Sequence, residues 1–563
     1  MTCIAVLFPQ VRQLIIKIAE RIMHRETSLY EVWHKALLSY AMGGIFLIIV
    51  SGYCLLIDQG KTLVRKVRYE IRDCLIEIDW HSLIKTILLM FGIYLLGVLS
   101  LIRANFLYND DVARTIMGFR VWYNGSRYVS EFLSIFVHAD FHLTNISPFP
   151  QLLAILFLAI SSALLVYVLN NKKITTIGLI ASVPLGLSPY MLACLSYQFD
   201  SPYMALSVLS SIIPFLFLAR KKAFVLLSVI SLLIMCMTYQ ASSGIYLLIT
   251  LALCFYDWND KRKVNRENLL FLGRSVLSFG IAMVIFKLFL MRPYISDKSI
   301  SMLPFQQMIP GISTNLLTYV KTLNSDFSLI WKVIIGVILC SFIFKSVLRS
   351  AQNKMISLIV IFLLLGMLFL LSFSVSLLLD RPLFDPRTMY GFGVFLAIIS
   401  IYITSNFNKI TKITAFALSW SFFIFAFSYG NALADHIRYV NFRTSILLQD
   451  LSALYPDRDN NTITIQLKNT IGFTPAVRSI GKRNPVIYRL IPQMLRESDL
   501  FSYIYILSYS NYAPLSMSNL YYGIKNKYVD YNTLDLPVVL KTYYHTIRSD
   551  GKQVLVELNE GVK

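Results

Sequence analysis

The residues best suited to chemistry in this sequence are two adjacent carboxylates, Asp110 and Asp111, which follow a long apolar run. One carboxylate of such a pair can act as a general base toward an acceptor hydroxyl. The pair can also hold a divalent cation such as Mg²⁺ or Mn²⁺. The competing interpretation is structural, with Asp110 capping a helix and pairing with Arg114 one turn later. The spacing alone leaves these interpretations open.

Arginine and aromatic side chains accompany this pair. Arg127 in the same loop and Arg387 in the segment 380–388 are suited to phosphate, because a guanidinium can bind two phosphate oxygens at once. Trp122 is either a platform for a sugar ring or part of the aromatic belt at a membrane interface. No cofactor is predicted with certainty.

Two other polar segments allow a functional or a structural interpretation. Asp200 lies between two apolar segments and either acts on a substrate or caps the helix that begins near Pro202. Tyr239 and Gln240 lie in a polar turn between two short apolar segments, which predicts a broken membrane span. Their side chains either orient a ligand hydroxyl or join helices.

A weak metal pattern follows the first loop. His138, Asp140 and His142 alternate as ligands on a strand would, and together with Asp110 and Asp111 they are the candidate metal ligands. Polar residues at a membrane interface produce the same alternation, so the metal itself stays unassigned.

The elements that must position these residues are membrane helices. The chain has 563 residues, of which 56% are hydrophobic and 15% charged, whereas soluble domains carry about 25% charged residues. The apolar runs reach about 17–25 residues, which is the length of a bilayer span. The sequence therefore predicts a polytopic α-helical membrane protein with eleven spans, or twelve if residues 37–57 also cross. The eleven segments are 84–103, 151–169, 174–195, 203–219, 223–238, 244–256, 268–290, 328–345, 355–379, 389–406 and 413–433.

Charge sets the predicted orientation. The net charge is +21, and the Lys-rich loops alternate with longer loops that mix Asp and Arg. Because basic loops stay in the cytoplasm, the mixed loops are expected outside. The basic runs are short and lie between apolar segments, so nucleic acid is not an expected partner.

Composition divides the chain into three predicted parts. Residues 1–80 form a basic N-terminal extension, in which 61–80 resembles a basic amphipathic surface helix. Residues 81–433 form the transmembrane domain, and residues 434–563 form a small α/β domain outside the membrane. The last part contains three strand-like stretches, Thr462–Leu467, Val538–Tyr544 and Val554–Leu558, and a predicted hairpin turn at Arg548–Lys552.

Five segments, taken in order, resemble the Gtr-type O-antigen glucosyltransferases, the serotype-converting enzymes of enteric bacteria and their phages. They are Asn109–Arg127 with Asn145–Pro148, Ser196–Ser207, Tyr239–Ala241, Pro386-Arg387 and Tyr429–Leu433. The resemblance implies a GT-C-type bundle in the bacterial inner membrane with a periplasmic active site. It implies a glucosyl transfer from undecaprenyl-phosphate-glucose to a lipid-linked O-antigen, with a companion flippase and donor synthase as pathway partners.

The resemblance also implies roles for individual residues. Asp110 or Asp111 would be the catalytic base, and Asp200 would assist the acceptor or a cation. Arg114, Arg127 and Arg387 would lie near the donor phosphate, and the sugar pocket would be lined by Trp122, Tyr197, Gln198, Tyr239 and Gln240.

Two other functions stay open at this point. One is a GT-C transferase that modifies lipid A or another envelope glycan, and the other is a transporter or lipid flippase. Transporters carry ionisable residues near the middle of the membrane, whereas the acids here cluster at one face. The sequence also contains no Gly-rich phosphate loop of the kind that binds nucleotides.

Overall fold

A computed structural model describes residues 58–261, 266–291, 301–405, 408–456, 464–497, 499–510 and 536–560. The possible extra span at residues 37–57 lies outside the described residues, and so does the rest of the chain before Asp58.

The described chain is mostly helical. The helices up to the end of the apolar body are α1 (Asp58–Ile76), α2 (Trp80–Ala104), α3 (Asp110–Met117), α4 (Tyr128–His138), α5 (Phe149–Leu169), α6 (Thr176–Ser182), α7 (Pro184–Leu187), α8 (Pro189–Ser196), α9 (Ser201–Ile212), α10 (Lys221–Thr238), α11 (Ser243–Asp260), α12 (Arg266–Ile285), α13 (Met308–Asp326), α14 (Leu329–Arg349), α15 (Lys354–Leu371), α16 (Gly391–Thr404) and α17 (Lys409–Leu454). The remainder contains β1 (Thr464–Lys468), α18 (Pro475–Gly481), α19 (Ile487–Leu490), α20 (Leu500–Ser510), β2 (Val538–Lys541), β3 (His545–Ser549) and β4 (Gln553–Leu558).

Eight helices of the described chain are long and apolar enough to cross a membrane, or up to nine if one bent pair counts as a single span. Two further apolar helices, Ser201–Phe217 and Gly391–Thr404, are shorter. Each of the eleven predicted segments contains α-helix, as backbone in hydrocarbon requires, although 174–195 is broken into three helices and the α-helix in 355–379 ends at Leu371. The sequence predicts eleven to twelve spans, which is more than the eight or nine helices of the described chain that are long and apolar enough to cross.

The break in a span lies elsewhere than predicted. The helices on either side of Tyr239 are each long enough to cross, so the polar turn there joins two spans. The bent pair is instead Thr176–Leu187 with Pro189–Ser196, which meet at 56°. Pro189 has no N–H to continue the hydrogen-bond ladder, and this interrupts the helix.

Helices α2 and α17 pack closely at Gly430. A Cβ atom at this position would lie 2.4 Å from the backbone nitrogen of Leu101, so only glycine allows the approach. The Ser100 hydroxyl donates to the carbonyl of Ala426 at 3.2 Å. Small residues allow this kind of helix contact in membranes, which gives the segment Tyr429–Leu433 a packing role.

The C-terminal part contains a four-stranded sheet in the order β1-β4-β3-β2. Strand β1 pairs with β4 in parallel, and the other pairs are antiparallel. The predicted turn joins β3 to β4, and Gly551 adopts a φ of +95° there. Helix α17 runs without a break past residue 433 and holds the sheet, because Arg443 donates to the carbonyls of Tyr544 and Asn559 at 2.6 and 2.9 Å.

The two ends of the helical body differ in charge. At one end, called the basic end, Glu77 after α1 accepts hydrogen bonds from Lys172 and Arg220 at 3.0 and 2.8 Å. At the other end, called the site end, the loops 105–148, 197–200 and 380–388 meet the segment 484–496.

Candidate functional site

Helix α3 begins at the two adjacent carboxylates, whose side chains lie in different environments. Its N-cap is Asn109, with a φ of +46° and no capping hydrogen bond from the side chain. The Asp110 side chain is 39% exposed, and its Oδ2 lies 3.8 Å from Nη1 of Arg387. Asp111 is fully buried. Arg114 pairs with a different loop, so the interpretation with Asp110 as cap and Arg114 as its ion-pair partner is wrong.

Asp111 joins the loop 105–148 to the loop 197–200. Its Oδ2 accepts the backbone N–H groups of Gln198 and Tyr108 at 2.8 and 3.3 Å, and its Oδ1 accepts that of Phe199 at 3.4 Å. Burial raises the pKa of Asp111 to about 8, because a low dielectric disfavours the charged form. Backbone donors thus occupy both carboxyl oxygens.

Asp200 is held just as firmly. One of its oxygens pairs with the Arg114 guanidinium and the other accepts the indole N–H of Trp122. The Arg114 guanidinium also lies 4.3 Å from the centre of the Trp122 ring. Burial by itself would raise the pKa of Asp200, but the charges of Arg114 and Arg127 outweigh it and hold the pKa below its usual range. All three members of this ion-pair cluster are buried.

A polar cavity of about 240 Å³ lies at the site end, between the loops there and the segment after α17. Its lining residues are Tyr108, Asn109, Ala193, Tyr197, Asp385, Pro386, Arg387, Tyr488, Arg489, Ile491, Pro492, Gln493 and Arg496. Three of them are arginines, the side chain best suited to bind phosphate oxygens in pairs. Asp110 does not line the cavity, but its carboxylate lies 3.8 Å from the guanidinium of Arg387, which does.

Arg387 is only loosely paired. Its guanidinium lies 3.8 Å from Asp110 and 3.6 Å from Asp385, beyond hydrogen-bond distance, and stacks 5.0 Å from the centre of the Tyr197 ring. Arg489 pairs with the buried Asp326. The cavity can therefore offer the N–H groups of Arg387 to a phosphate, with a carboxylate close by.

Tyr239 lies directly behind Arg387. The Tyr239 hydroxyl donates to the Arg387 carbonyl at 3.3 Å, and the Arg127 guanidinium lies 4.7 Å from the centre of the Tyr239 ring. Gln240 donates to the carbonyl of Gly125 at 3.0 Å. These predicted site residues support the cavity from behind, and none of them lines it.

The remaining predicted site residues divide between the cavity and the packing around it. Tyr197 lines the cavity. The Gln198 side chain donates to Asn105 at 3.0 Å and accepts from Asn145 at 2.9 Å, so it fastens the loops together. Trp122 is 3% exposed and contacts the Asp200 cluster, so its ring faces no open sugar site in this structure.

The metal candidates do not converge. Among the described residues, no three His, Cys, Asp or Glu side chains lie close enough together to hold a metal ion. His138 is buried and stacks on Phe199 at 5.6 Å between ring centres. Asp140 is exposed and accepts the backbone N–H of His142 at 3.3 Å.

Sequence reasoning missed the contribution of the C-terminal part. Arg489 and Arg496 line the cavity, and Arg489 is fixed by Asp326 and by the carbonyl of Phe384. One signal was present: Arg489 is the only charge in the apolar run 486–492. A lone charge in an apolar run requires a partner or a function.

Comparisons with known proteins give one family and one relative. The model of the family described as "Glucosyl transferase GtrII" matches residues 99–398, just over half of the chain. A Salmonella phage P22 protein, described as an uncharacterized 55.3 kDa protein in the gtrB 5′ region, is 24% identical over 425 residues. That match covers 73% of this chain and 87% of the phage protein. No solved structure matches.

Proposed function

The chain belongs to the GtrII glucosyl transferase family, and we propose that it transfers a glucosyl residue from undecaprenyl-phosphate-glucose to a lipid-linked O-antigen. We place this reaction on the periplasmic face of the bacterial inner membrane. A companion donor synthase and a flippase would supply the donor there.

The observation that carries the proposal is the polar cavity at the site end, which Arg387, Arg489 and Arg496 line and where Asp110 lies 3.8 Å from Arg387. A polyprenyl-phosphate-sugar donor keeps its phosphate at the membrane surface and its chain in the bilayer. A cavity at the ends of the spans suits such a donor. The basic loops lie at the opposite end, which favours a cytoplasmic basic end and a periplasmic site end.

The residues of the cavity suggest a division of labour. Asp110 takes the proton from the acceptor hydroxyl as that oxygen attacks the anomeric carbon of glucose. The bond from that carbon to the phosphate oxygen breaks, and the departing phosphate gains negative charge. Arg387, assisted by Arg489 and Arg496, stabilises this charge because its donors already point into the cavity.

The roles of the other predicted residues change accordingly. We assign Asp111, Asp200, Arg114 and Trp122 to positioning, because the Asp111 carboxylate accepts backbone N–H groups and Asp200 pairs with Arg114 and Trp122. Of the three arginines predicted near the donor phosphate, Arg387 keeps that role. Tyr197, whose ring lies under Arg387, is the aromatic side chain that we place next to the sugar.

The test is transfer by the purified protein. Detergent-solubilised protein is mixed with radiolabelled undecaprenyl-phosphate-glucose and lipid-linked O-antigen, and label in the glycan is counted. We expect transfer by the wild type and at least a hundredfold slower transfer by Arg387→Gln. Transfer from a galactose or aminosugar donor in place of glucose would overturn the donor assignment. No transfer from any of these donors, combined with lipid movement in a flipping assay, would make the protein a flippase.

A further inference from the structure

A second arginine-lined site lies at the basic end, at the end of the helical body opposite to the cavity. It is a groove of about 1110 Å³ between α1 and the start of α2. Its lining residues are Arg65, Arg68, Tyr69, Ile71, Arg72, Leu75, Ile76 and Trp80. The spacing of Arg65, Arg68 and Arg72 places all three guanidinium groups on one face of the helix.

These three arginines differ from the arginines of the site end in their pairing. Among the residues that the structure describes, no carboxylate lies within ion-pair distance of Arg65, Arg68 or Arg72. The acids Glu70 and Glu77 point to the helical body instead, where Glu70 accepts the backbone N–H of Ala223 at 2.9 Å. Helix α1 thus contacts the body through Glu70, with Glu77 just after its end, and presents Arg65, Arg68 and Arg72 to the groove.

The groove also has an apolar and aromatic wall. Tyr69, Ile76 and Trp80 are 55%, 69% and 47% exposed. The Trp80 indole donates to the carbonyl of Leu75 at 2.9 Å, which fixes its ring beside the arginines. Trp80 is also the first residue of the first candidate span in the described chain, and the end of a span is where lipid headgroups meet hydrocarbon.

We propose that this groove binds the phosphate of an anionic phospholipid from the leaflet at the basic end. The three guanidinium groups bind the phosphate oxygens, and the wall at Ile76 and Trp80 contacts the start of the acyl chains. A lipid with net negative charge is preferred, because each basic residue near an anionic surface strengthens binding about fivefold. This site is independent of the glucosyl transfer.

Lipid binding by the full-length protein tests the proposal. The purified protein is titrated in detergent with phosphatidylglycerol or with phosphatidylcholine, and bound lipids are counted by native mass spectrometry. We expect tighter binding of phosphatidylglycerol. In the triple variant Arg65→Gln/Arg68→Gln/Arg72→Gln this binding should weaken by about a hundredfold.

The matched control removes the same charge elsewhere at the basic end. Lys222, Lys409 and Lys412 are exposed, and their triple change to Gln should leave phosphatidylglycerol binding within about fivefold of the wild type. Equal losses in both triple variants would overturn a specific site in favour of general surface charge. Equal binding of both lipids by the wild type would also overturn it. If the arginine triple variant does not fold, Arg68→Gln and Arg68→Lys replace it, and the Gln variant should bind more weakly.

Discussion

Two groups of acids and arginines lie side by side at the site end, and they differ in how fully their polar atoms are used. We call Asp111, Asp200, Arg114 and Trp122 the packed cluster, and Asp110, Arg387, Arg489 and Arg496 the cavity group. In the packed cluster every carboxyl oxygen has a protein donor. In the cavity group Arg387 stands more than 3.5 Å from both nearby carboxylates. Arg489 and Arg496 also line the cavity but are paired with Asp326 and Asp499. Pairing, and not residue type, thus separates the carboxylates of Asp111 and Asp200 from the guanidinium of Arg387, which is available to a ligand.

The largest expected effect is on Asp110. The change Asp110→Asn should lower kcat by about 10²- to 10⁴-fold, because it removes a general base and keeps the shape of the side chain. The unfolding temperature should change little, since the side chain is partly exposed and weakly paired. The measurement is transfer rate at saturating donor, together with thermal unfolding in the same detergent.

Asp385 provides the matched control for Asp110. It is 53% exposed and lies 3.6 Å from the same guanidinium. Asp385→Asn should therefore keep kcat within about tenfold of the wild type, since it removes a neighbouring charge without removing a base. Equal losses in the two variants would mean that both acids act only by balancing the charge of Arg387.

Substitutions in the packed cluster should lower the stability of the protein. Asp200→Asn leaves the Arg114 charge buried without its partner, which costs about 3–5 kcal/mol of unfolding free energy. The double change Asp200→Asn/Arg114→Met should recover part of this loss, because it removes the uncompensated charge as well. Denaturant unfolding in detergent measures both. If Asp200→Asn kept wild-type stability but lost transfer, Asp200 would act in catalysis, and the assignment of the packed cluster to positioning would be wrong.

Arg489 tests whether the cavity group extends into the C-terminal part. Arg489→Gln should lower kcat/KM for the lipid-phosphate donor by about 10- to 100-fold, because one charge-assisted contact to the phosphate is lost. Arg483→Gln is the control, since Arg483 is exposed in the same segment and does not line the cavity. If both variants transfer at the wild-type rate, the C-terminal segment lines the cavity without binding the donor phosphate.

The sequence predicts the helical body well, because period and length of apolar runs dominate helix formation in a membrane. Each of the eleven predicted segments contains α-helix in the described chain. The strands near Thr464, Val538 and Val554 and the turn at Gly551 also agree with their predicted positions, but the strand that precedes this turn, β3 (His545–Ser549), was not predicted. The break at Pro189 was missed because the apolar run continues through it.

The candidate site is harder to predict, because the pairing of its charged side chains depends on contacts between segments that are distant in the sequence. Asp110 and Asp111 are neighbours with the same side chain, yet α3 turns one to the cavity and the other to the backbone of Gln198. Arg489 reaches the cavity from a segment hundreds of residues later in the chain. Spacing within a loop carries no information about such contacts.

The last expected effect is a pH dependence of stability that separates the two acids of the packed cluster. The pKa of Asp111 is raised to about 8 in the folded protein, against about 3.9 for an unfolded Asp. Between these values the folded state holds a proton that the unfolded state lacks, so stability falls as pH rises, by at most about 1.4 kcal/mol per pH unit. Asp111→Asn cannot titrate. From pH 5 to 8 the wild type should therefore lose stability relative to Asp111→Asn.

Asp200 supplies the control with the opposite sign. Its pKa is lowered in the folded protein, so its contribution is already complete above about pH 4 and is lost only at lower pH. The stability difference between the wild type and Asp200→Asn should thus stay constant from pH 5 to 8. An equally constant difference for Asp111→Asn would mean that Asp111 is ionised throughout this range. The three backbone N–H groups would then outweigh burial, and both acids of the packed cluster would be held as charges.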